Sequence, residues 1–407
     1  MENLQSTLSR LISISIMLLP AGTAIAETST VRSEAPLLPP KTIELVESWR
    51  VGGEDGDLIF GMMIDSIEDD EGNIYLLDSQ MCQVEVFSPT GEHLRTLSRQ
   101  GDGPGEVQNP QSLLFLPDQT LGILELFPAG IVTLTQDGEP SGSLKIGGEG
   151  GPQTGFSAAL RAVHRGGTIM VAAQRTINIE NGQQQDMYLS RISETGEEQV
   201  RYHEETITVD FTNPRFVEKE LLPSFFFANT VDPKGKVYTV RSWDEYAIKV
   251  YNPDGTLDKI IERDFQSRKR DKDEVRRLNA LIDAWLTGEA MNMERVLEAN
   301  EPAISEMHVD DEGVLWVQHN RSGHDQPEGV LFTYDTFSPE GVWLQEVSIK
   351  ADGNPAYDGL RFLGGDRVLL VKGYTLARWA SRGARNVNFG EEEAEEMEVI
   401  FCRMGTE

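Results

Sequence analysis

Residues 69–78, DDEGNIYLLD, with residues 84–91, VEVFSPTG, decide the fold, because the same arrangement returns twice. In each copy an Asp opens a tight turn, a Gly closes it, an aromatic residue follows three positions later, and a Pro-x-Gly turn comes downstream. The other copies are DPKGKVYTVR at 232–241 with IKVYNPDG at 248–255, and DDEGVLWVQH at 310–319 with YDTFSPEG at 334–341. The Tyr, Trp, Val and Ile residues between the turns favour strands, so each copy predicts a four-stranded antiparallel unit.

Such a unit cannot bury its own apolar faces and must stack on copies of itself, which makes it one blade of a β-propeller. The chain has room for about six blades in one closed ring. We therefore predict an all-β, six-bladed β-propeller over residues 43–407. The predicted blades span 61–100, 109–147, 154–205, 224–265, 303–350 and 355 to the C-terminus.

The N-terminal strand is predicted to close the last blade. Residues 43–51, IELVESWRV, have strand composition, while the last blade lacks an outermost strand of its own. Pairing the two ends removes exposed strand edges, which otherwise promote aggregation. Residues 27–42, with Pro36, Pro39 and Pro40, are interpreted as a flexible leader.

A helical insertion is predicted between blades four and five, over about residues 268–300. The segment is charged, and its apolar residues have helical spacing: Val275, Leu278, Leu281, Ile282 and Trp285. We expect one or two helices, broken near Gly288. They would form a cap packed on the rim of the propeller or, alternatively, a lid over the central channel.

Residues 1–26 are interpreted as a secretory signal peptide. Arg10 precedes an apolar run over 11–19, and Ala24-Ile25-Ala26 has the small-x-small pattern that a signal peptidase accepts. We predict cleavage near Ala26 and a periplasmic or extracellular protein without a transmembrane anchor, an uncleaved anchor being the alternative. The two cysteines, Cys82 and Cys402, would either join the end blades or remain two buried thiols.

The charge balance limits the partners. With 36 Lys and Arg against 67 Asp and Glu, the net charge is −31. This surface repels phosphate backbones, so nucleic acid is not an expected partner. Divalent cations and neutral or cationic partners remain compatible, and the charge also favours solubility.

Residues 101–106, GDGPGE, followed by Asn109-Pro110, connect the first two predicted blades. Glycine-rich stretches that partly match this loop occur at 51–57 and 146–152. This loop resembles that of NHL-repeat six-bladed propellers and, more closely, of exported bacterial six-bladed β-propeller proteins. The resemblance implies the fold but little about function, since the fold hosts binding scaffolds, lactonases and lyases.

Polar residues near the starts of the predicted inner strands are the candidate metal ligands: Asp65, Asn229, Glu306 and Asp358. Inner strands line the channel of a propeller, and converging oxygen atoms could hold Ca²⁺. The resemblance to calcium-dependent lactonases is at the level of the fold alone. Polar residues are also typical of any solvated channel.

The candidate catalytic residues are His308 and His319, with His324 and Asp325 nearby in sequence. A His beside a carboxylate suits general acid or base chemistry, although loop histidines are commonly surface residues. No serine-hydrolase, zinc-protease or Cys-x-x-Cys motif is present. The repeated aromatics Tyr75, Tyr238 and Trp316 are predicted core residues, and Phe225–Phe227 are predicted to lie in the inner strand of blade four.

The sequence favours an exported module that binds a protein or a small molecule at the propeller face. The alternative is a divalent-cation-dependent hydrolase of the lactonase type, or a lyase, with its site at the channel mouth. The two differ in whether Asp65, Glu306 and a neutral His such as His308 converge. The sequence does not decide whether the protein is an enzyme.

Overall fold

The computed structural model describes residues 29–54, 56, 58–147, 155–286, 293–381, 383, 384, 387 and 396–405. The predicted signal peptide and the predicted helix break near Gly288 lie outside these ranges. The described chain is mostly β-strand with few helices, in a propeller-like arrangement.

Two strands come first, and three four-stranded antiparallel sheets follow in chain order. The first two strands are β1 (Ser29–Ser33) and β2 (Lys41–Gly52). The first sheet consists of β3 (Met63–Glu68), β4 (Ile74–Asp78), β5 (Gln83–Phe87) and β6 (His93–Leu97). The second consists of β7 (Pro110–Phe115), β8 (Leu121–Glu125), β9 (Gly130–Leu134) and β10 (Pro140–Lys145). The third consists of β11 (Phe156–Arg165), β12 (Thr168–Ile179), β13 (Gly182–Ile192) and β14 (Glu198–Asp210).

The fourth sheet corrects the prediction of a flexible leader. Its own strands are β16 (Asn229–Val231), β17 (Val237–Val240), β18 (Ala247–Tyr251) and β19 (Leu257–Arg263). β1 pairs in parallel with β19, so residues expected to be a leader form a fifth strand of this sheet. The backbone N–H groups of Leu37 and Leu38 also donate to the carbonyls of Trp343 and Leu344. The segment is ordered because it satisfies strand edges that would otherwise be exposed.

An eight-stranded sheet contains the strands of predicted blades five and six. They are β21 (Ile304–Val309), β22 (Leu315–His319), β23 (Val330–Phe337), β24 (Trp343–Lys350), β25 (Gly359–Phe362), β26 (Arg367–Val371) and β27 (Glu398–Met404). β2 joins the two groups: Lys41–Glu44 pairs in parallel with β24, and Leu45–Gly52 pairs antiparallel with β27. The predicted pairing of the N-terminal strand with the last strand is therefore present, and the count of six blades stays a prediction.

The Asp-Gly turns of the repeat show why those residues recur. In the first copy, Asp69 Oδ1 accepts hydrogen bonds from the backbone N–H groups of Glu71 and Asn73. Gly72 has a φ of 82°, a conformation that residues with a Cβ seldom adopt. The carboxylate thus holds the turn while the glycine permits its backbone.

The repeated aromatic residues are tied to the same turns. Tyr75 is fully buried, and its hydroxyl lies 3.3 Å from Asp69 Oδ2. The other copies repeat the bond, Tyr238 with Asp232 at 3.4 Å and Trp316 with Asp310 at 3.1 Å. Each ring therefore fills space between sheets while its polar tip is satisfied by the turn.

Three helices and a small two-stranded sheet complete the described chain. The helices are α1 (Glu218–Leu221), α2 (Lys272–Trp285) and α3 (Tyr374–Ser381), and β15 (Arg215–Val217) pairs with β20 (Glu294–Val296). α2 lies in the predicted insertion and buries Leu278, Leu281 and Ile282, whereas Val275 is exposed. No helix in the described ranges is both long and apolar enough to cross a membrane.

The run Phe225–Phe227 does not belong to a strand, which corrects the prediction. A 3₁₀ turn spans Ser224–Phe226, and β16 begins only at Asn229. The Asn229 amide explains the difference, because its Nδ2 donates to the carbonyls of Phe225 and Phe226 and stabilises the turn. Phe225 and Phe226 are nevertheless buried.

The two cysteines are buried thiols in different parts of the core. Cys82 Sγ lies 3.3 Å from the carbonyl oxygen of Gln108, and Cys402 Sγ lies 3.8 Å from that of Ile400. Of the two alternatives, the structure therefore has separate thiols. Burial raises the pKa of Cys402 to about 11, so this thiol is protonated at neutral pH.

Candidate functional site

A central cavity of about 600 Å³ lies between the first strands of the sheets. Residues of β3, β7, β11 and β25 line it, together with Tyr374, Arg378 and Ser381 of α3. Its apolar wall residues include Ile64, Leu113, Leu160, Phe226 and Phe362. This volume suits a small organic ligand.

Bulges place charged and polar side chains around the cavity. In four first strands the register shifts directly before one residue, namely Asp65, Ser112, Arg161 or Glu306. A bulge bends a strand and redirects the next side chain. The four residues therefore occupy equivalent places in their sheets, and each lines the cavity or the small pocket of about 50 Å³ beside it.

Arg361 of β25 joins two of the predicted metal ligands. Its Nη2 lies 2.7 Å from Asp65 Oδ1, and its Nη1 lies 3.1 Å from Glu306 Oε1. The other Asp65 oxygen accepts from the Leu113 backbone N–H at 2.9 Å. Burial alone would lower the pKa of Arg361, but Tyr374, Asp65 and Glu306 raise it above its usual value. Arg361 therefore stays charged and supplies the positive charge that the prediction assigned to Ca²⁺.

The other two predicted ligands make different contacts. Asn229 is fully buried and holds the 3₁₀ turn through its amide. Asp358 accepts from the Gly373 and Asn354 backbone N–H groups, and Lys372 Nζ lies 3.3 Å away. These residues line neither the central cavity nor its small neighbour.

Arg161 and Arg378 make no ion pair with a carboxylate in the part of the chain that the structure describes. Burial lowers the pKa of Arg161 most, and the charge of Arg361 lowers it further. Asp65 and Glu306 partly oppose this shift. The Arg378 guanidinium lies 5.4 Å from the ring of Tyr374 and 5.6 Å from that of Phe227. We call Asp65, Arg161, Glu306, Arg361 and Arg378 the cavity charge cluster.

His308 lines the same cavity and is stacked on Phe362, with ring centroids 5.0 Å apart. Burial and the cations Arg165, Arg361 and Arg161 lower its pKa to about 3. His308 is therefore neutral at physiological pH. Asp65, Glu306 and a neutral histidine do border one region, but Arg361 lies between the two carboxylates.

His319 lies in the core rather than beside the channel charges. It is buried near the rings of Tyr246 and Phe265, and its Nε2 lies 3.7 Å from Asp335 Oδ2. Burial and Arg263 lower its pKa to about 3. These contacts suit a packing role.

A second titratable cluster lies at α2. Ligand atoms of Glu274, Glu301 and His324 lie within 4.8 Å of one another, the one such group among the described residues. Glu274 is already paired with Arg268 at 2.7 Å and accepts from the Asp271 backbone N–H at 2.6 Å. The local Arg268 charge therefore disfavours a second cation there.

Comparisons with known proteins support the fold. No family model and no curated protein matches the chain. A solved member of the duf4221 family from Bacteroides vulgatus has a TM-score of 0.51 and 11% identity, over 89% of this chain and 98% of that one. A protein assigned as exported, from Bacteroides fragilis, has a TM-score of 0.48 and 10% identity over 90% and 99% of the two chains. The calcium-binding protein regucalcin from Agrobacterium tumefaciens has a TM-score of 0.42 and 10% identity over 89% and 96%. At 11% identity, the likeness to the duf4221 family member shows the fold and says nothing about activity.

The sequence interpretation found the carboxylates of the cavity charge cluster and missed its arginines. A signal was available, because Arg161 and Arg361 stand between apolar residues in Leu160-Arg161-Ala162 and Leu360-Arg361-Phe362. An isolated charge within an apolar strand indicates a buried or channel position. Arg378 had no such signal, since α3 was not predicted.

Proposed function

We propose that this protein is an exported six-bladed β-propeller of the NHL-like kind that binds a small molecule in its central cavity. The observation that carries this proposal is the cavity of about 600 Å³, where apolar walls meet the cavity charge cluster. Sites for small ligands characteristically combine apolar walls with a few convergent polar groups. Binding of a protein partner at the propeller face is the other form that a binding module could take.

The six blades would be β3–β6, β7–β10, β11–β14, β16–β19, β21–β24, and β25–β27 completed by β2. The order of strands within each sheet supports this division. Export rests on the signal-like residues 1–26. A crystal structure of residues 27–407 would check the number of blades.

The binding proposal is tested with a library of neutral and charged metabolites, scored by thermal unfolding of residues 27–407. A ligand that binds only the folded protein raises its melting temperature. Hydrogen exchange then locates each hit, and we expect protection in β3, β7, β11 and β25. Protection confined to the outer strands, or a library without hits, would contradict a cavity ligand.

The alternative function is a divalent-cation-dependent hydrolase or lyase with Ca²⁺ at Asp65 and Glu306. Arg361 bonds both carboxylates, so a second cation would have to displace a guanidinium. We expect millimolar Ca²⁺ or EDTA to leave the melting temperature unchanged. A rise with Ca²⁺ that EDTA reverses, and that Glu306→Gln abolishes, would favour the cation-dependent enzyme.

A further inference from the structure

We propose that the ligand of the central cavity is a small organic acid with one carboxylate group, bound by Arg161 and Arg378. This inference rests on the proposed function, because it names the class of the cavity ligand.

The charges of the cavity charge cluster do not balance. Three guanidinium groups, Arg161, Arg361 and Arg378, stand beside two carboxylates, Asp65 and Glu306. Both Arg361 and Arg378 act on Arg161 electrostatically, as do the two carboxylates, so the five groups are close enough to interact. One positive charge remains, and an uncompensated charge inside a protein is costly. A bound anion with one negative charge would remove that cost.

The remaining charged groups of the cavity do not supply this anion. Asp311 is paired with Arg165 at 2.6 Å, and Glu68 is paired with Arg367 at 3.0 Å. Asp69 and Asp70 also line the cavity, but they lie in the turn between β3 and β4, and neither pairs with Arg161 or Arg378 among the described residues. In a chain with a net charge of −31, the two guanidinium groups without a carboxylate partner, Arg161 and Arg378, are a local feature of the cavity.

Donor atoms of the wall match a carboxylate. Arg161 and Arg378 line the cavity, and neither makes an ion pair with a carboxylate among the described residues. A guanidinium offers paired N–H donors that fit the two oxygens of a carboxylate. The apolar walls suit the hydrocarbon part of such an acid. A phosphate monoester carries nearly two charges at neutral pH and would overcompensate the cluster.

The test compares acids with their isosteric amides: acetate with acetamide, hexanoate with hexanamide, and phenylacetate with phenylacetamide. Phenyl phosphate is the doubly charged probe. Affinities for residues 27–407 are measured by thermal shift and calorimetry. We expect at least one acid to bind about tenfold or more tightly than its amide, because a charge-assisted hydrogen bond is worth at least that factor.

Variants then assign the binding to the cluster. Arg161→Met should weaken the acid about tenfold and leave the amide unchanged, while Arg161→Lys, which keeps the charge but loses the paired donors, should weaken the acid less than Arg161→Met does. Arg378→Gln gives a second measurement should Arg161→Met fold poorly. Arg201→Met is the matched control, since Arg201 pairs with Glu198 and Glu204 and does not line the cavity.

The outcomes separate this inference from the proposed function. If acids and amides bind equally, the cavity binds ligands but the anion assignment is wrong. Tighter binding of phenyl phosphate than of phenylacetate would also overturn the carboxylate. If no probe of either kind binds, the inference and the small-molecule function are both contradicted.

Discussion

Asp335 on β23 is fully buried, and Arg263 on β19 compensates its charge across two sheets. Arg263 Nη2 lies 2.6 Å from Asp335 Oδ2, and the Tyr246 hydroxyl donates to the same oxygen at 2.6 Å. The guanidinium also lies 4.5 Å from the ring centroids of Tyr246 and Trp343. Burial raises the pKa of Asp335, and Arg263 opposes this effect. The pair thus connects the fourth sheet to the eight-stranded one.

Removing this carboxylate charge should be costly. We expect Asp335→Asn to lower the free energy of unfolding by about 3 kcal/mol or more, because Arg263 is left buried without a counter-charge. Urea unfolding measures the change. Asp311→Asn is the control, since that side chain is 64% exposed and its pair with Arg165 is worth less than about 1 kcal/mol. Equal losses in both variants would contradict the argument.

The buried histidines make stability depend on pH. The pKa values of His308 and His319 are about 3 in the folded protein, below the usual 6.5. The unfolded chain therefore takes up protons first as the pH falls through 6.5, and stability is lost from there towards pH 3. Each histidine contributes at most about 1.4 kcal/mol per pH unit.

His308→Phe isolates one of these contributions while keeping an aromatic ring on Phe362. We expect the difference in unfolding free energy between pH 7 and pH 5 to be smaller in this variant than in the parent protein. The carboxylates titrate alike in both proteins and cancel in the comparison. Parallel pH profiles would show that His308 titrates normally.

At the scale of single residues, the sequence predicted the two carboxylates of the cavity charge cluster. Asp65 and Glu306 could be found because the repeat aligns them at the starts of inner strands. Arg361 could not be paired with them, since the partner of a strand residue depends on which strands meet in space. Asn229 and Asp358 have similar polarity in sequence, but local turns use their side chains.

Helix α2 shows how a local signal fixes an element. Asp271 Oδ1 accepts from the backbone N–H groups of Asp273 and Glu274, and the Glu274 side chain accepts in return from the Asp271 N–H. This capping box satisfies donors that a helix start leaves unpaired. It begins the helix within the predicted insertion.

We expect Asp271→Ala to lower the free energy of unfolding by about 1 kcal/mol, because the cap is lost. Asp273→Ala changes the same kind of residue two positions later and removes only an exposed contact with Arg276. Urea unfolding should therefore separate the two variants. A larger loss in Asp273→Ala would mean that the first-turn charge matters more than the cap.

The elements that the sequence missed depend on tertiary contacts. The sequence after β1 contains Pro36, Pro39 and Pro40, which do not predict a strand nearby. The pairing of β1 with β19 joins residues more than 200 positions apart. α3 is only eight residues long, and its Tyr374 and Ala377 are buried by neighbours from other sheets. Local propensity is weak for such short segments. The long repeat, by contrast, was readable because its turns need Asp and Gly at fixed places.

We expect the cooperative unfolding of the whole molecule to depend on β2 more than on β1. Deleting residues 27–36 removes β1 and should lower the melting temperature while leaving one cooperative transition. Deleting residues 27–52 also removes β2, leaves the facing edges of β24 and β27 unpaired, and should abolish cooperative unfolding. Far-UV circular dichroism during heating measures both. A cooperative transition after deletion of residues 27–52 would show that the sheets are stable without β2 between β24 and β27.

The pairing of Leu45 with Met404 also sets an order of events during synthesis. β2 is made some 350 residues before its antiparallel partner β27. Until β24 is made, β2 has no partner in its final sheet, and its pairing with β27 comes later still. Contacts so distant in sequence form slowly. The sheet that β2 joins is therefore completed only after β27 has been made.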